Sequence, residues 1–129
     1  MRLAVMLEIS MNINQGEIWE VEFFPNIGKE IGKKRPAVVV SYDKMGKLPL
    51  KTIVPITHWS ENYSHYPWML KIVNDSENGL SKSSAIDCFQ IRNFSYNRFV
   101  KKLGTVDTNM LYSIHQTITK TLNPTYKII

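Results

Sequence analysis

The chain is poor in cysteine, in long apolar runs and in metal-ligand patterns, and each shortage excludes a class of protein. Cys88 is the only cysteine, so no intramolecular disulfide is possible, and its apolar setting predicts a core residue in a reducing, cytoplasmic compartment. No apolar run approaches the roughly 20 residues that span a bilayer. No Cys or His pair has metal-ligand spacing and no phosphate-cradling P-loop motif occurs, so we expect neither a metal nor a cofactor.

The length and the apolar content indicate a single domain. With 129 residues, 43% of them apolar, the chain can bury one core but not two. We see no internal repeat and no low-complexity segment. The first ten residues look superficially like a signal peptide, but their apolar stretch is short and broken by Glu8, and no clear cleavage site follows.

The positive charge is concentrated in one segment. Between Lys29 and Lys51 lie seven basic and two acidic residues, which accounts for the whole formal net charge of +5. Such a segment is typical of a surface that binds a polyanion, although a solvated lysine-rich loop has the same composition. Charge alone does not decide between these two interpretations.

The periodicity of the apolar residues predicts a mainly β domain that ends in a helix. Apolar and acidic residues alternate at the start, and later segments are rich in β-branched residues. Asp107 is a good N-cap for a helix whose apolar residues recur at helical spacing and which ends at Asn123-Pro124. Strands are predicted at about 17–24, 37–42, 52–57, 68–73 and 84–91, with a short helix at about 95–101.

One loop carries the most specific signal. Gly28 and Gly32 allow turns that a side chain would forbid, and Pro36 fixes the backbone where the chain becomes extended, so Arg35 is held at the rigid end of the loop. Together with other short motifs in the same order, this loop resembles the MazF/PemK family of toxin endoribonucleases, the mRNA interferases of type II toxin–antitoxin systems. The matching segments are Gly16-Glu17-Ile18-Trp19, Phe24-Pro25, Gly28–Pro36, Val54-Pro55-Ile56-Thr57 and Gln90-Ile91-Arg92.

The resemblance implies both a fold and an activity. The fold is α+β, mainly β: a small SH3-like barrel of the MazF, PemK and CcdB type, with a C-terminal amphipathic helix and a short helix. The activity is metal-independent cleavage of single-stranded RNA that leaves a 2′,3′-cyclic phosphate and a 5′-hydroxyl. The implied partners are RNA, a cognate antitoxin and a second copy of the chain in a homodimer. A start at Met11 fits the family better, so we predict an extension at 1–13 and one domain at 14–129.

The same resemblance assigns Arg35 and Thr57 to the reacting phosphate. A guanidinium fork suits the negative charge that gathers on the phosphate oxygens, and Glu30 is the nearest carboxylate in the loop for a general base. Glu30 is equally well explained as a salt partner for nearby lysines. Other residues are predicted to bind substrate: Lys33, Lys34, His58, Trp59, Ser84, Gln90 and Arg92. His58 is also a candidate acid or base, although successive strand residues point to opposite faces, which places it away from Thr57.

Two other functions remain open on the sequence alone. A non-catalytic barrel related to the CcdB poison would inhibit a protein such as DNA gyrase, but it has no reason to retain Arg35 with Thr57. A degenerate toxin would bind RNA without cutting it. The second alternative rests on Asn93-Phe94-Ser95, where family members often have Thr-x-Asp. The RNA sequence that is recognised cannot be read from this chain.

Overall fold

The computed structural model describes residues 12–25, 27–30, 32–45, 48–123 and 125. Within them are seven β-strands, two short 3₁₀ helices (Glu61–His65 and Tyr96–Arg98) and one α-helix. The strands are β1 (Glu17–Glu22), β2 (Lys34–Val39), β3 (Leu50–His58), β4 (Met69–Ile72), β5 (Ser84–Asp87), β6 (Arg92–Ser95) and β7 (Phe99–Thr105). The helix is α1 (Thr108–Leu122). The predicted α+β, mainly β class is confirmed.

The strand β3 joins the two halves of an antiparallel sheet whose order is β4-β5-β3-β2-β1-β7. One edge of β3 pairs with β2, with Val38 opposite Val54. The other edge pairs first with β6, where Ile53 lies opposite Arg92, and then with β5, where His58 lies opposite Ser84. The C-terminal end of β3 therefore meets the start of β5.

The middle strands are buried on both faces, because their side chains alternate between two apolar clusters. One cluster includes Ile18, Val38, Val54, Ile56, Ile86 and Cys88, and α1 covers it with Ile114. The other includes Ile13, Val21, Phe23, Val39, Ile53 and Phe94. Ile13 is 1% exposed, so it packs as a core residue although the sequence assigns it to the extension at 1–13. The other expectations for 1–11 fall outside the described residues.

The helix α1 follows its sequence signals. The Asp107 carboxylate accepts a hydrogen bond of 2.7 Å from the Met110 amide, as expected of an N-cap. The helix ends at Asn123, which adopts the left-handed conformation common at helix C-termini. Both predicted boundaries are confirmed.

The segment after Gln90 differs from its prediction. The short helix expected at 95–101 is only the 3₁₀ turn at Tyr96–Arg98, and Phe99 begins β7, which pairs with β1. The predicted strand at 84–91 is shorter, because β5 ends at Asp87, and β6 follows as a separate strand. Apolar and polar residues alternate only weakly in β7, because its lysines face acidic residues of β1. Lys101 Nζ, for example, lies 3.7 Å from Glu20 Oε2.

Candidate active site

A cleft of about 260 Å³ opens where β3 ends and β5 begins. Four regions of the chain contribute to it: the start of β2, the end of β3, the segment that leads into β5, and β7. Its lining residues are Arg35, Pro36, Ile56, Thr57, His58, Gly79, Leu80, Ser81, Lys82, Ser84 and Leu103. Four predicted site residues therefore lie together: Arg35, Thr57, His58 and Ser84.

Arg35 brings a buried, unsatisfied donor to this cleft. It lies in β2 opposite Val21, and the following Pro36 also lines the cleft. Its Nε is buried and has no hydrogen-bond partner among the described residues. A buried donor without an acceptor costs about 1–3 kcal/mol, so an acceptor from outside the described residues would stabilise this arginine.

Thr57 and His58 are the last two residues of β3. Thr57 is half-buried and lies opposite Ala85, and His58 is exposed and lies opposite Ser84. Strand alternation predicted that His58 points away from Thr57, yet both line the cleft. The cleft lies at the end of the strand pair rather than over one face of the sheet, so neighbouring residues can both border it.

Sequence reasoning missed one wall of the cleft, which is formed by residues 79–82. Gly79 has φ of +69°, and a Cβ added there would lie 2.0 Å from the Leu103 carbonyl oxygen. The buried Asn78 side chain orders the preceding turn, because its Oδ1 accepts hydrogen bonds from the amides of Asp75 and Leu80. The Asn78-Gly79 pair, a common turn signal, was the available clue to this wall.

The wall places Lys82 beside the predicted residues and is joined to one of them, Ser84. Ser84 Oγ donates a 3.0 Å hydrogen bond to the Lys82 carbonyl oxygen, which joins the wall to β5. Lys82 itself lines the cleft and is exposed. The ionisable side chains among the described lining residues are thus Arg35, His58 and Lys82, and no carboxylate is among them.

Glu30 and Arg92 do not line this cleft. They form an ion pair with each other, with 2.6 Å between Glu30 Oε2 and Arg92 Nη2. Glu30 Oε1 also accepts a 2.7 Å hydrogen bond from the Ile27 amide. The salt partner of Glu30 among the described residues is therefore an arginine of β6 and not one of the nearby lysines. The role of Glu30 as a general base stays a prediction.

The remaining predicted residues are not among the described residues that line the cleft. Gln90 donates a 2.9 Å hydrogen bond to Asp87. Lys33 and Lys34 are exposed beside Arg35, at the end of the β1–β2 loop and the start of β2. Trp59 follows His58, and its indole donates a 3.0 Å hydrogen bond to Glu61. The binding roles of these residues stay predictions.

The basic segment does not form one patch around the cleft. Arg35 is its only member among the described cleft residues, whereas Lys51 lines a separate depression with Tyr42 and Leu48. β2 is six residues long, roughly 20 Å at about 3.3 Å per residue, and it separates the basic residues at its start from those that follow its end. Charges that are close in sequence are therefore divided between two ends of a strand.

Asn93-Phe94-Ser95, the residues that stand where Thr-x-Asp was expected, have a structural role. The Thr52 hydroxyl donates a hydrogen bond to Asn93 Oδ1 across the β3–β6 pair. Phe94 is buried and packs edge to face against Phe23, with 5.2 Å between the ring centroids. These residues hold β6 to the sheet.

Neither a metal cluster nor a membrane helix occurs among the described residues. No group of three or more His, Cys, Asp or Glu residues in the described ranges is placed to hold a metal ion. No helix in that part of the chain is long and apolar enough to cross a membrane.

Comparison with known proteins identifies the family. The family described as PemK-like, MazF-like toxin of type II toxin–antitoxin system matches residues 14–122. A curated relative, Endoribonuclease MazF9 of Mycobacterium tuberculosis, is 29% identical over 112 residues, which are 82% of this chain and 92% of that protein.

Solved structures share the fold. MazF from Deinococcus radiodurans has a TM-score of 0.72 at 21% identity, with 86% of this chain and 96% of that chain covered. A MazE–MazF complex from the same organism has a TM-score of 0.64 at 20% identity, with 84% and 94% covered. Because one family accounts for nearly all of the described chain and the fold agrees, the predicted recognition is confirmed: the chain belongs to the PemK-like, MazF-like toxins of type II toxin–antitoxin systems.

Proposed function

We propose that this toxin is a sequence-selective endoribonuclease that cleaves single-stranded RNA without a metal ion. The 2′-hydroxyl attacks the adjacent phosphorus, which leaves a 2′,3′-cyclic phosphate and a 5′-hydroxyl. The observation that carries the proposal is the buried, unpartnered Nε of Arg35 in a cleft shared with Thr57. Family membership and the curated endoribonuclease relative support it.

Arg35 stabilises the charge that develops during the attack. A guanidinium offers several donors in a fixed fork, and two of them can bind two non-bridging phosphate oxygens at once. Donors that are held in place before the reaction stabilise the transition state without a cost of reorganisation. The Arg35 backbone is fixed near the cleft, because it lies within a paired strand and precedes a proline.

Thr57 and the apolar wall complete the phosphate site. The Thr57 hydroxyl can donate to a phosphate oxygen beside Arg35, because both residues line the same cleft. Pro36, Ile56 and Leu103 present apolar surface there, which limits the access of water and strengthens polar contacts to the phosphate. The cleft of about 260 Å³ is small for a binding pocket, so it suits one nucleotide unit rather than a folded RNA.

The decisive experiment is incubation of the purified protein with a long single-stranded RNA in excess EDTA, followed by mapping of both fragment ends. We expect cleavage at a restricted set of sequences with 5′-hydroxyl ends. Fragments with 5′-phosphates, or activity that EDTA abolishes and magnesium restores, would contradict the proposed chemistry. RNA binding without any cleavage would identify a degenerate toxin instead.

Variants of Arg35 provide the matched test. Arg35→Ala should lower cleavage by at least about 10²-fold, the usual cost of losing a donor to a developing oxyanion. Arg35→Lys should fail as well, because a point charge lacks the bidentate fork. The fold should persist, since the Nε makes no hydrogen bond to the described residues. An Arg35→Ala variant within a few fold of wild type would remove Arg35 from the mechanism.

We further propose that the toxin acts in the cytoplasm as a homodimer and is neutralised by an acidic cognate antitoxin. A MazE–MazF complex among the similar structures and the excess of basic residues between Lys29 and Lys51 support the antitoxin. Exposed apolar residues such as Tyr42, Met45 and Leu48 support further protein contacts. Light scattering at micromolar concentration tests the dimer, and a monomer would contradict it.

A further inference from the structure

Attack by the 2′-hydroxyl needs a group that removes its proton. A general base must reach that proton and must be largely unprotonated at the working pH. Three described cleft residues are ionisable: Arg35, His58 and Lys82. Arginine and lysine remain cationic near neutral pH, whereas imidazole exchanges a proton in this range.

We propose that His58 is the general base of the cleavage reaction. This assignment rests on the proposed RNA cleavage and adds a residue to it. His58 is exposed at the end of β3, directly after Thr57 and opposite Ser84, so it borders the same cleft as Arg35. No hydrogen bond or ion pair to the described residues engages its imidazole, so the ring is available to substrate.

Glu30, the carboxylate suggested by the sequence, is less suitably placed. It pairs with Arg92 at 2.6 Å and accepts from the Ile27 amide at 2.7 Å, and it is not among the cleft residues. Both carboxylate oxygens of Glu30 are thus engaged by groups outside the cleft. The structure therefore separates the carboxylate from the phosphate site and places the imidazole within it.

His58 shares the cleft with two cationic residues, and further charged groups lie beside the neighbouring Trp59. Arg35 approaches from β2 and Lys82 from the segment before β5, and both are cationic. Next to His58, the Trp59 ring centroid lies 5.2 Å from Lys71 Nζ, and the Trp59 indole donates a 3.0 Å hydrogen bond to the Glu61 carboxylate.

The proton balance of the step is simple. His58 takes the proton of the 2′-hydroxyl as the 2′ oxygen forms its bond to phosphorus. The bond from phosphorus to the 5′ oxygen breaks, and that oxygen takes a proton from water. Imidazolium then returns its proton to solvent, so the protein is unchanged after each turnover.

The test compares His58→Gln with wild type in single-turnover cleavage across pH 5 to 9. We expect the wild-type rate to rise with pH and level off as a histidine loses its proton, and His58→Gln to lack this rise. The rate should fall by about 10²- to 10⁴-fold at the plateau, the usual contribution of general acid–base catalysis. His65→Gln, at an exposed histidine of the 3₁₀ helix Glu61–His65, is the matched control and should behave like wild type.

Two further measurements distinguish a base from a binding residue and from an acid. Binding of an RNA with a 2′-deoxy nucleotide at the cleavage site should change by no more than about threefold in His58→Gln; a larger loss would assign His58 to binding. An RNA with sulfur in place of the 5′ leaving oxygen needs no acid for departure. We expect His58→Gln to remain slow on it, and recovery of the rate would overturn the base assignment in favour of an acid.

The outcomes also distinguish this inference from the function on which it rests. If the wild-type protein cut no RNA, the proposed function and the role of His58 would both fall. If wild type cut RNA and His58→Gln cut it within threefold with the same pH profile, only the role of His58 would be overturned.

Discussion

The Glu30 carboxylate lies 2.6 Å from the Arg92 guanidinium, which ties the β1–β2 loop to β6. The side chain of Glu30 is 43% exposed and that of Arg92 is 19% exposed. Exposed and half-exposed ion pairs contribute about 0.2–1 kcal/mol to stability, so this contact orients the loop more than it stabilises the fold.

We expect Glu30→Gln and Arg92→Gln each to lower cleavage efficiency by up to about fivefold, which corresponds to about 1 kcal/mol. Since both residues act through one contact, the double variant should be no slower than the single ones. Single-turnover kinetics on all four proteins measures this coupling. Loss of activity in Glu30→Gln alone, with Arg92→Gln active, would identify Glu30 as a direct participant in the chemistry.

Lys82 is the cleft cation that sequence reasoning did not single out. We expect Lys82→Gln to weaken RNA binding about three- to tenfold and to reduce the slope of log affinity against log salt by about one, because one phosphate contact is lost. Filter binding from 50 to 300 mM salt measures both. Lys120→Gln, at the far end of α1, is the control; an equal change in that variant would show a general effect of net charge.

Gly79→Ala should damage both the fold and the cleft. The new Cβ would lie 2.0 Å from the Leu103 carbonyl oxygen, at a φ of +69°. We expect a loss of about 3 kcal/mol or more in the free energy of unfolding by urea, since clash and strain act together. Gly28→Ala, with φ of +58° and no atom within 4 Å of the new Cβ, should lose only about 1 kcal/mol. Equal losses would show that the close approach to Leu103 has no effect.

The lowered pKa of Glu17 makes the stability of the fold depend on pH. Burial by itself raises its pKa, but hydrogen bonds from Lys102, the Asn14 amide and the Trp19 indole outweigh it and lower the pKa below 4.5. The folded protein therefore releases this proton more readily than the unfolded chain does. The contribution of Glu17 to stability is present above about pH 4.5 and is lost as the pH falls through its lowered pKa.

Glu17→Gln should accordingly be less stable than wild type by about 1–3 kcal/mol at pH 7, and the difference should shrink toward pH 3. Urea unfolding at several pH values measures it. Glu20→Gln, whose carboxylate is 3.7 Å from Lys101 at the surface, should change by about 0.5 kcal/mol or less. Stability curves for Glu17→Gln and wild type that stay parallel down to pH 3 would contradict the prediction.

Local sequence signals were sufficient to predict those elements whose structure is determined by residues close together in the chain. Asp107 caps α1 through an amide three residues away, and β-branched runs formed β2 and β3. The assignment of Arg35 and Thr57 to one site came from short sequence motifs and not from the periodicity of apolar residues. Their shared cleft is consistent with that assignment.

Contacts between distant segments could not be read from the sequence. β7 is stabilised by lysines that meet acidic residues of β1, about 80 positions earlier, and periodicity does not record such pairs. The same applies to Glu30, whose partner Arg92 lies on β6. The wall at Gly79 depends on the Leu103 backbone, which no pattern near Asn78 reveals.

The burial of Cys88 makes this protein well suited to site-selective labelling. Burial, together with the nearby charge of Asp87, raises the pKa of its thiol to about 12, so almost none of the reactive thiolate is present near pH 7.5. A Ser81→Cys variant, altered at an exposed position, would therefore react with a maleimide dye while Cys88 stays intact. A fluorophore at that position would report when RNA enters the cleft and when it leaves, in a protein whose native thiol needs no removal.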